Sequence, residues 1–196
     1  MKALFETLLG RSKKQPQQPQ VPMKAGDLSL VFHATVQSGE GRFSRMVFPT
    51  KKELEGIESA PDCWPEKIQP GSMNCRVTAF PDNLYDLAGE GDRIATLDAG
   101  KFTPDGRIPR EMIENNVVRP YPGGNPDMGI AQVWRCSVTN ENTGETFDAL
   151  HVRRIDGTYP PFHGIIELMA DRKLRDAHNL KDGTPLTIRM YSKATL

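Results

Sequence analysis

The chain has 196 residues, of which 37% are hydrophobic, and its 25 basic and 25 acidic side chains cancel at neutral pH. This length suits one substantial domain with a tail, and the balanced charge argues against partners such as nucleic acid or an anionic membrane. The three cysteines, Cys63, Cys75 and Cys136, stand far apart without a CxxC pair, which argues against a zinc site or a disulfide framework and favours the reducing cytoplasm.

The first 26 residues are predicted to form a tail and a flexible linker ahead of one domain that spans residues 27–196. The opening stretch MKALFETLLG has the spacing of a small amphipathic helix, but it is too short and too interrupted for a signal peptide or a membrane span. The stretch RSKKQPQQPQVPMKAG follows, rich in Gln, Pro and Lys, with no apolar face to bury.

From Asp27 onward the sequence mostly has the patterns of β-strands. LSLVFHATV is an apolar β-branched run, RFSRMVF and NCRVTAF alternate, and IAQVWRCSVT and FDALHVRRI flank NENTGE, which is typical of a hairpin turn. RIATLD and LTIRMYS add two short strands, whereas helical patterns are confined to KKELEGI, REMIEN and RKLRDAHNL. Many short strands with few helices predict a mainly β fold, a closed or nearly closed barrel with one or two short helices.

A glycine-rich stretch, SGEGRF, lies between the first two predicted strands. Gly39 and Gly41 lack the Cβ atoms that would keep a phosphate away from backbone N–H groups, and Arg42 adds a positive charge. These features suit a phosphate cradle, although the same pattern also occurs in plain hairpin turns. There is no P-loop motif and no intact GxGxxG, which argues against a P-loop or dinucleotide-binding fold.

A second polar stretch, PGSMNCRV, combines a Pro-Gly turn with the start of a strand. Ser72 and Asn74 lie two residues apart, so their side chains are expected on the same face. A hydroxyl and an amide oxygen placed in this way can hold Mg²⁺, which otherwise keeps water and borrows phosphate oxygens. The alternative is that both side chains simply bond to the turn.

The stretch RKLRDAHNLKDGTPLTI has the pattern of a short basic helix, a tight turn and a strand. Leu174, Ala177 and Leu180 are predicted to form one apolar helical face, with the basic side chains pointing outward. Asp182 and Gly183 are residue types that tolerate positive φ, so the helix is expected to end before them. A well-terminated surface helix with no further role is the alternative interpretation.

The histidines and tryptophans have no pattern that indicates a site. The four histidines form no metal-ligand spacing, and His151 on a strand and His178 on a helix are predicted to be structural, hydrogen-bonded residues. Trp64 and Trp134 are predicted to be packing residues, since no interleaved basic residues surround them.

Taken in order, the motifs SGEGRF, QPGSMN, GTYPPFHGIIELMA and KLRDAHNLKDG resemble those of the archaeal-type CTP-dependent riboflavin kinases. That family has a Gly-rich loop, a P-x-G-T-L-N turn, a glutamate-bearing strand and an L-R-x-x-x-x-L-x-D-G ending. The last motif is the most specific, because Leu174, Arg175, Leu180, Asp182 and Gly183 all match it. The resemblance covers about residues 30 to 190.

This resemblance implies a six-stranded cradle-loop barrel that transfers the γ-phosphate of CTP to riboflavin, giving FMN. Carried over by matching motif, the residues that would hold CTP are Gly39, Glu40, Gly41, Arg42, Lys173, Leu174 and Arg175. Ser72, where the family has threonine, and Asn74 would hold Mg²⁺. Thr158 and Glu167 would face the flavin, and Glu167 would act as the catalytic residue by orienting the ribityl hydroxyl. Phosphoryl transfer needs mainly positioning and neutralised phosphate charge, so this set is chemically sufficient.

Three features depart from the family pattern. The Gly-rich loop is shorter, Asp171 stands where the family commonly has proline, and the region from about residue 101 to 127 is longer. These departures leave open a non-catalytic nucleotide- or flavin-binding or interaction module on the same barrel. A DNA-binding role ranks third, since only the basic tail suggests it and the overall charge is neutral.

Overall fold

The computed structural model describes residues 28–39, 46–70, 73–79, 81, 102–109, 112, 114–115, 131–154 and 164–193. The strands within these ranges are β1 (Ser29–Gln37), β2 (Met46–Val47), β3 (Met73–Ala79), β4 (Gly106–Ile108), β5 (Glu114–Asn115), β6 (Ala131–Asn140), β7 (Thr146–Arg154), β8 (Ile165–Met169) and β9 (Pro185–Tyr191). A 3-10 helix, Lys52–Leu54, and a short α-helix, α1 (Leu174–Ala177), accompany them. The predicted tail over residues 1–26 and the predicted strand RIATLD lie outside the described residues.

Six antiparallel strands close into a barrel. Their order is β6, β7, β8, β3, β1 and β9, and β9 pairs again with β6 from Cys136↔Met190 to Asn140↔Leu186. The short strand β4 pairs with the first part of the same β6 edge, at Gly106↔Val133. The prediction of a mainly β, six-stranded closed barrel is therefore confirmed.

Strand alternation places the core inside this barrel. On β1, for example, Leu30, Phe32, Ala34 and Val36 are buried while the residues between them are more exposed. Successive side chains of a strand point to opposite faces, so one set from each strand fills the interior. The inner residues of the other barrel strands are Met73, Cys75, Trp134, Cys136, Val138, Phe147, Ala149, Ile166, Leu168, Leu186, Ile188 and Met190.

A second apolar cluster covers part of the outside of the barrel. Leu54, Trp64 and Ile68, from the segment between β2 and β3, pack there on outward residues of β4, β6, β7 and β8 such as Leu150 and Val152. The Trp64 indole N–H donates to the carbonyl oxygen of Pro49 at 2.9 Å. The middle of β7, from Ala149 to Val152, is consequently buried on both faces, which explains why FDALHVRRI is apolar at adjacent positions there.

Two of the predicted helices differ from the structure. KKELEGI forms only the 3-10 helix Lys52–Leu54, whose start is fixed because Thr50 and Glu53 exchange side-chain-to-backbone hydrogen bonds of 2.7 and 3.3 Å. The helix prediction for REMIEN is wrong at Glu114–Asn115, which pair with Met46–Val47 as strands β5 and β2. Pairing with a distant strand overrides local helix propensity. None of the helices in the described ranges has the length and apolar character needed to cross a bilayer.

The third predicted helix is present but has a single turn. It ends at Ala177; Asn179, two residues further on, has a left-handed φ of 49°, and the backbone N–H of Leu180 donates to the carbonyl of Arg175 at 2.9 Å. This bond is the six-to-one bond of a Schellman ending. Leu174 and Leu180 both reach the core, whereas Ala177 is exposed, so the predicted three-residue apolar face is wrong at Ala177. Leu180 reaches the core from the turn because the helix ends before it.

Candidate functional site

The end of β1 lies against the turn that precedes β9. The backbone N–H of Val36 donates to the Thr184 carbonyl at 2.9 Å, and the N–H of Gly183 donates to the Val36 carbonyl at 2.8 Å. Gly183 has a φ of 84°, as the turn prediction requires. These bonds bring Ser38 and Gly39, the first two residues of the Gly-rich stretch, beside the Asp182–Gly183 turn of the most specific sequence motif.

Gly39 is in close contact with Asn74. A Cβ atom built on Gly39 would lie 2.7 Å from Cγ and 3.1 Å from Oδ1 of the Asn74 side chain, closer than side chains normally approach. Only glycine therefore fits here without moving the Asn74 amide. A residue predicted to hold phosphate and a residue predicted to hold Mg²⁺ are neighbours in the structure.

Asn74 also belongs to a row of polar side chains on the outer face of the barrel. It pairs with Gln37 of β1 on one side and with Glu167 of β8 on the other. Directly opposed residues in a sheet point to the same face, so the amide of Asn74 and the carboxylate of Glu167 are side by side. Both are half-buried. An amide oxygen is a ligand type that Mg²⁺ accepts, so the chemistry of Asn74 suits the predicted ion, and Glu167, predicted to orient the ribityl hydroxyl, lies beside it.

Arg175 reaches the same end of the barrel through Asp182. The Asp182 carboxylate accepts a hydrogen bond of 2.6 Å from the Ser38 hydroxyl and also pairs with the Arg175 guanidinium. Burial raises the pKa of the Cys75 thiol to about 12, and the positive charge of Arg175 opposes part of this rise. We call this group the rim site; its members are Ser38, Gly39, Asn74, Glu167, Arg175 and Asp182.

The remaining predicted residues have different positions. Lys173 is exposed just before α1, whereas the side chain of Leu174 is packed in the core and leaves only its backbone for a ligand. Five predicted site residues lie outside the described residues; they are Glu40, Gly41, Arg42, Ser72 and Thr158. Within the described ranges, no group of three His, Cys, Asp or Glu residues could hold a metal ion. A cation at the rim site would therefore need water and phosphate oxygens as further ligands.

The charge of Asp171, one of the departures from the family pattern, is balanced locally. Its carboxylate accepts hydrogen bonds of 2.8 and 3.1 Å from the guanidinium of the adjacent Arg172. This contact also holds the pKa of Arg172 above its ordinary value. A bound triphosphate would thus meet an ion pair at this position rather than an isolated negative charge.

Sequence reasoning missed the role of Asp182 as a link. Ser38 and Asp182 are 144 positions apart, and a turn residue gives no local signal of the side chains it will join.

The histidine predictions had mixed outcomes. His178 is a partnered structural residue, because Nδ1 lies 2.8 Å from a Glu145 carboxylate oxygen and the ring stacks on Phe147. His151 is structural and buried, but only one of its two ring nitrogens has a partner.

Gly39→Ala is expected to disturb the rim site without unfolding the protein. The new methyl group would displace only the Asn74 amide, the end of a flexible side chain, so we expect a loss of less than about 1 kcal/mol in the free energy of unfolding, measured by urea denaturation. The NMR signals of the Asn74 side-chain amide should move. Ser38→Ala is the control, since it removes only an exposed hydrogen bond and should cost less than about 1 kcal/mol. Unmoved Asn74 signals in Gly39→Ala would contradict the contact.

No protein-family model matches the chain. A search of curated protein sequences finds no significant match either. The residues of the rim site are therefore the basis for assigning a function.

Proposed function

We propose that the protein is a phosphotransferase that transfers the γ-phosphate of CTP to riboflavin, giving FMN. The observation that carries this proposal is the convergence of four separate sequence motifs at the rim site. Gly39, Asn74, Glu167 and Arg175 are far apart in the chain, yet each contacts another member of the site or pairs with it in the sheet. Such convergence is what positioning of a nucleotide, a metal ion and an acceptor requires.

In this proposal each residue has a defined task. Gly39, with Glu40, Gly41 and Arg42, lets the phosphates approach the backbone, while Lys173 and Arg175 supply positive charge. Asn74 and Ser72 hold Mg²⁺, which neutralises charge on the phosphates when it is bound. Glu167 accepts a hydrogen bond from the ribityl hydroxyl and so orients the hydroxyl oxygen towards the γ-phosphorus. Thr158 contacts the flavin. Cys63, Cys75 and Cys136 are free thiols, in keeping with the cytoplasm as the compartment.

A second candidate is a non-catalytic module that binds a nucleotide or a flavin on the same barrel. One observation favours it: the guanidinium of Arg175 is already paired with Asp182. A triphosphate would have to compete with that carboxylate for the arginine, which lowers the affinity for a phosphate chain. A module that recognises the flavin or the base would be unaffected by this pair.

Ligand-dependent melting and an activity assay separate the two candidates. The purified chain would be heated with CTP, ATP, riboflavin or FMN, each with and without Mg²⁺, and FMN formation would be followed by chromatography. The kinase proposal expects CTP with Mg²⁺ to add about 2.7 kcal/mol of stability at a hundred times its dissociation constant, together with turnover. Stabilisation by a flavin or a nucleotide without transfer from any triphosphate would support the binding module instead. If no compound raises the melting temperature, both candidates fail.

A further inference from the structure

An arginine to which the sequence motifs assign no task lies next to the rim site on β3. Arg76 is exposed and follows Asn74 by two residues in a regular stretch of the sheet, so both side chains point to the outer face of the barrel. The residue opposed to Arg76 on β1 is Thr35, but the Nε–H of Arg76 donates to the side-chain oxygen of Gln37 at 2.7 Å. Because Gln37 is opposed to Asn74, this bond draws the guanidinium along the sheet towards Asn74.

The bond to Gln37 also brings Arg76 to the start of the Gly-rich stretch. Gln37 is followed directly by Ser38 and Gly39, and Gly39 is in close contact with the Asn74 side chain. A phosphate group that approached the backbone at Gly39 would therefore come within reach of the Arg76 guanidinium. The planar guanidinium, with N–H donors along its edges, matches the spacing of phosphate oxygens.

The charge of Arg76 is not neutralised in the way that the charges of other arginines are. Arg135, Arg172 and Arg175 each pair with an aspartate carboxylate. Arg76 donates to a neutral amide instead, so its contact fixes the position of the guanidinium and leaves the positive charge in place. In the part of the chain that the structure describes, this is the hydrogen bond that Arg76 makes, and its two terminal nitrogens remain for a ligand.

We propose that Arg76 binds the phosphate chain of the nucleotide and that Gln37 is its positioning residue. This inference rests on the proposed function, because it assigns a further residue to the phosphate-binding part of the rim site. Arg175 is linked through Asp182 to Ser38. Arg76 is bonded to the preceding residue, Gln37. The two guanidinium groups are thus tied to neighbouring residues, and Arg76 supplies the positive charge that Asp182 offsets at Arg175.

Binding of inorganic tripolyphosphate with Mg²⁺ to the full chain tests this role without requiring turnover. Arg76→Gln removes the charge, so its affinity, measured by isothermal titration calorimetry, is expected to be about tenfold weaker than that of the wild type. Arg76→Lys keeps the charge but loses the planar fork, so it should recover part of that loss. Because Arg76 is exposed, both variants should melt within about 2 °C of the wild type.

Arg189→Gln is the matched control. Arg189 is exposed on β9, and its guanidinium likewise donates to a neutral side chain of β1, the Ser29 hydroxyl, at 3.2 Å. Ser29 and Gln37 are the first and last residues of β1, about 26 Å apart along the strand, so Arg189 is far from the rim site. Arg189→Gln removes the same charge from the protein and should leave the affinity for tripolyphosphate unchanged.

A double-mutant cycle tests the positioning by Gln37. Gln37→Leu removes the acceptor of the Arg76 Nε–H, so the affinity of the otherwise wild-type protein for tripolyphosphate should fall about threefold. In the Arg76→Gln background the same substitution should have no further effect, because the group that it positions is already absent. Additive losses in the double variant would overturn the positioning role.

The binding measurements separate this inference from the kinase proposal. Unchanged affinity in Arg76→Gln, an equal loss in Arg189→Gln, or a wild type that binds no tripolyphosphate would each overturn the role of Arg76. A wild type that binds tripolyphosphate through Arg76 but forms no FMN would refute the kinase proposal and support the phosphate-binding role. If FMN is formed, Arg76→Gln should raise the KM for CTP about tenfold and leave the KM for riboflavin unchanged.

Discussion

Asn74→Ala is expected to reduce FMN formation from CTP and riboflavin by at least about 100-fold. The Asn74 side chain provides an oxygen between Gly39 and Glu167. In the variant, a Mg²⁺ bound there would lose this protein ligand, and the water that replaced it would not fix the position of the ion. The amide is half-buried on the outer face, away from the core. Folding should therefore suffer little, with a loss of less than about 1.5 kcal/mol in urea denaturation.

Thr78→Ala is the matched control for this prediction. Thr78 lies on the same strand as Asn74, but it is exposed and farther along β3, where the pairing with β1 shifts register. Its loss should leave both turnover and stability within a factor of about two. Full activity in Asn74→Ala would refute the metal assignment while leaving the enzyme class intact. An inactive wild-type protein that still binds a flavin or a nucleotide would refute the kinase proposal itself.

His151 is expected to make the folded protein sensitive to mild acid. Burial lowers the pKa of its imidazole from 6.5 to about 4, the backbone hydrogen bond to Glu167 opposes this shift, and the positive charge of Arg153 adds to it. As the pH falls below 6.5, the unfolded chain takes up a proton that the folded protein does not. The free energy of unfolding should therefore decrease by about 3 kcal/mol between pH 6.5 and pH 4 on account of this residue.

His151→Phe isolates this contribution, because acidic residues also titrate near the lower end of the same range. The phenyl ring preserves stacking on Trp134 but cannot bind a proton, so the stability of the wild type relative to the variant should fall by about 3 kcal/mol between pH 6.5 and pH 4. Urea denaturation at half-unit steps of pH measures that difference. Parallel curves for the two proteins from pH 6.5 to pH 4 would show that His151 titrates normally in the folded state.

The barrel could be predicted from the sequence because most of its strands carry their own local patterns. LSLVFHATV is an apolar β-branched run, which predicts a strand, and β1 occupies Ser29–Gln37 with every second residue in the core. NENTGE indicates its turn through residue type, and Gly144 there has a φ of 72°. The three-residue strand β4 escaped prediction because its pairing with β6 depends on the tertiary fold rather than on a local period.

The candidate site was predictable only in its parts. Motif matching selected Gly39, Asn74, Glu167 and Arg175, but their mutual contacts depend on sheet register and on the turn before β9. The pairing of Arg175 with Asp182 has no sequence signal, since both residues fit the motif without it. The missing partner of His151 is likewise invisible in sequence, because a strand histidine in an apolar stretch usually finds partners for both nitrogens.

Closure of the barrel through β9 constrains how the chain can fold during synthesis. Strand β9 hydrogen-bonds both to β1, near the start of the described chain, and to β6. Until Tyr191 has emerged from the ribosome, β1 and β6 each lack β9 as a pairing partner. The inner apolar face of the β6–β7 hairpin is then exposed. Open strand edges of this kind pair readily with other chains. A nascent chain paused before β9 would thus be a natural client for chaperones that bind exposed apolar segments.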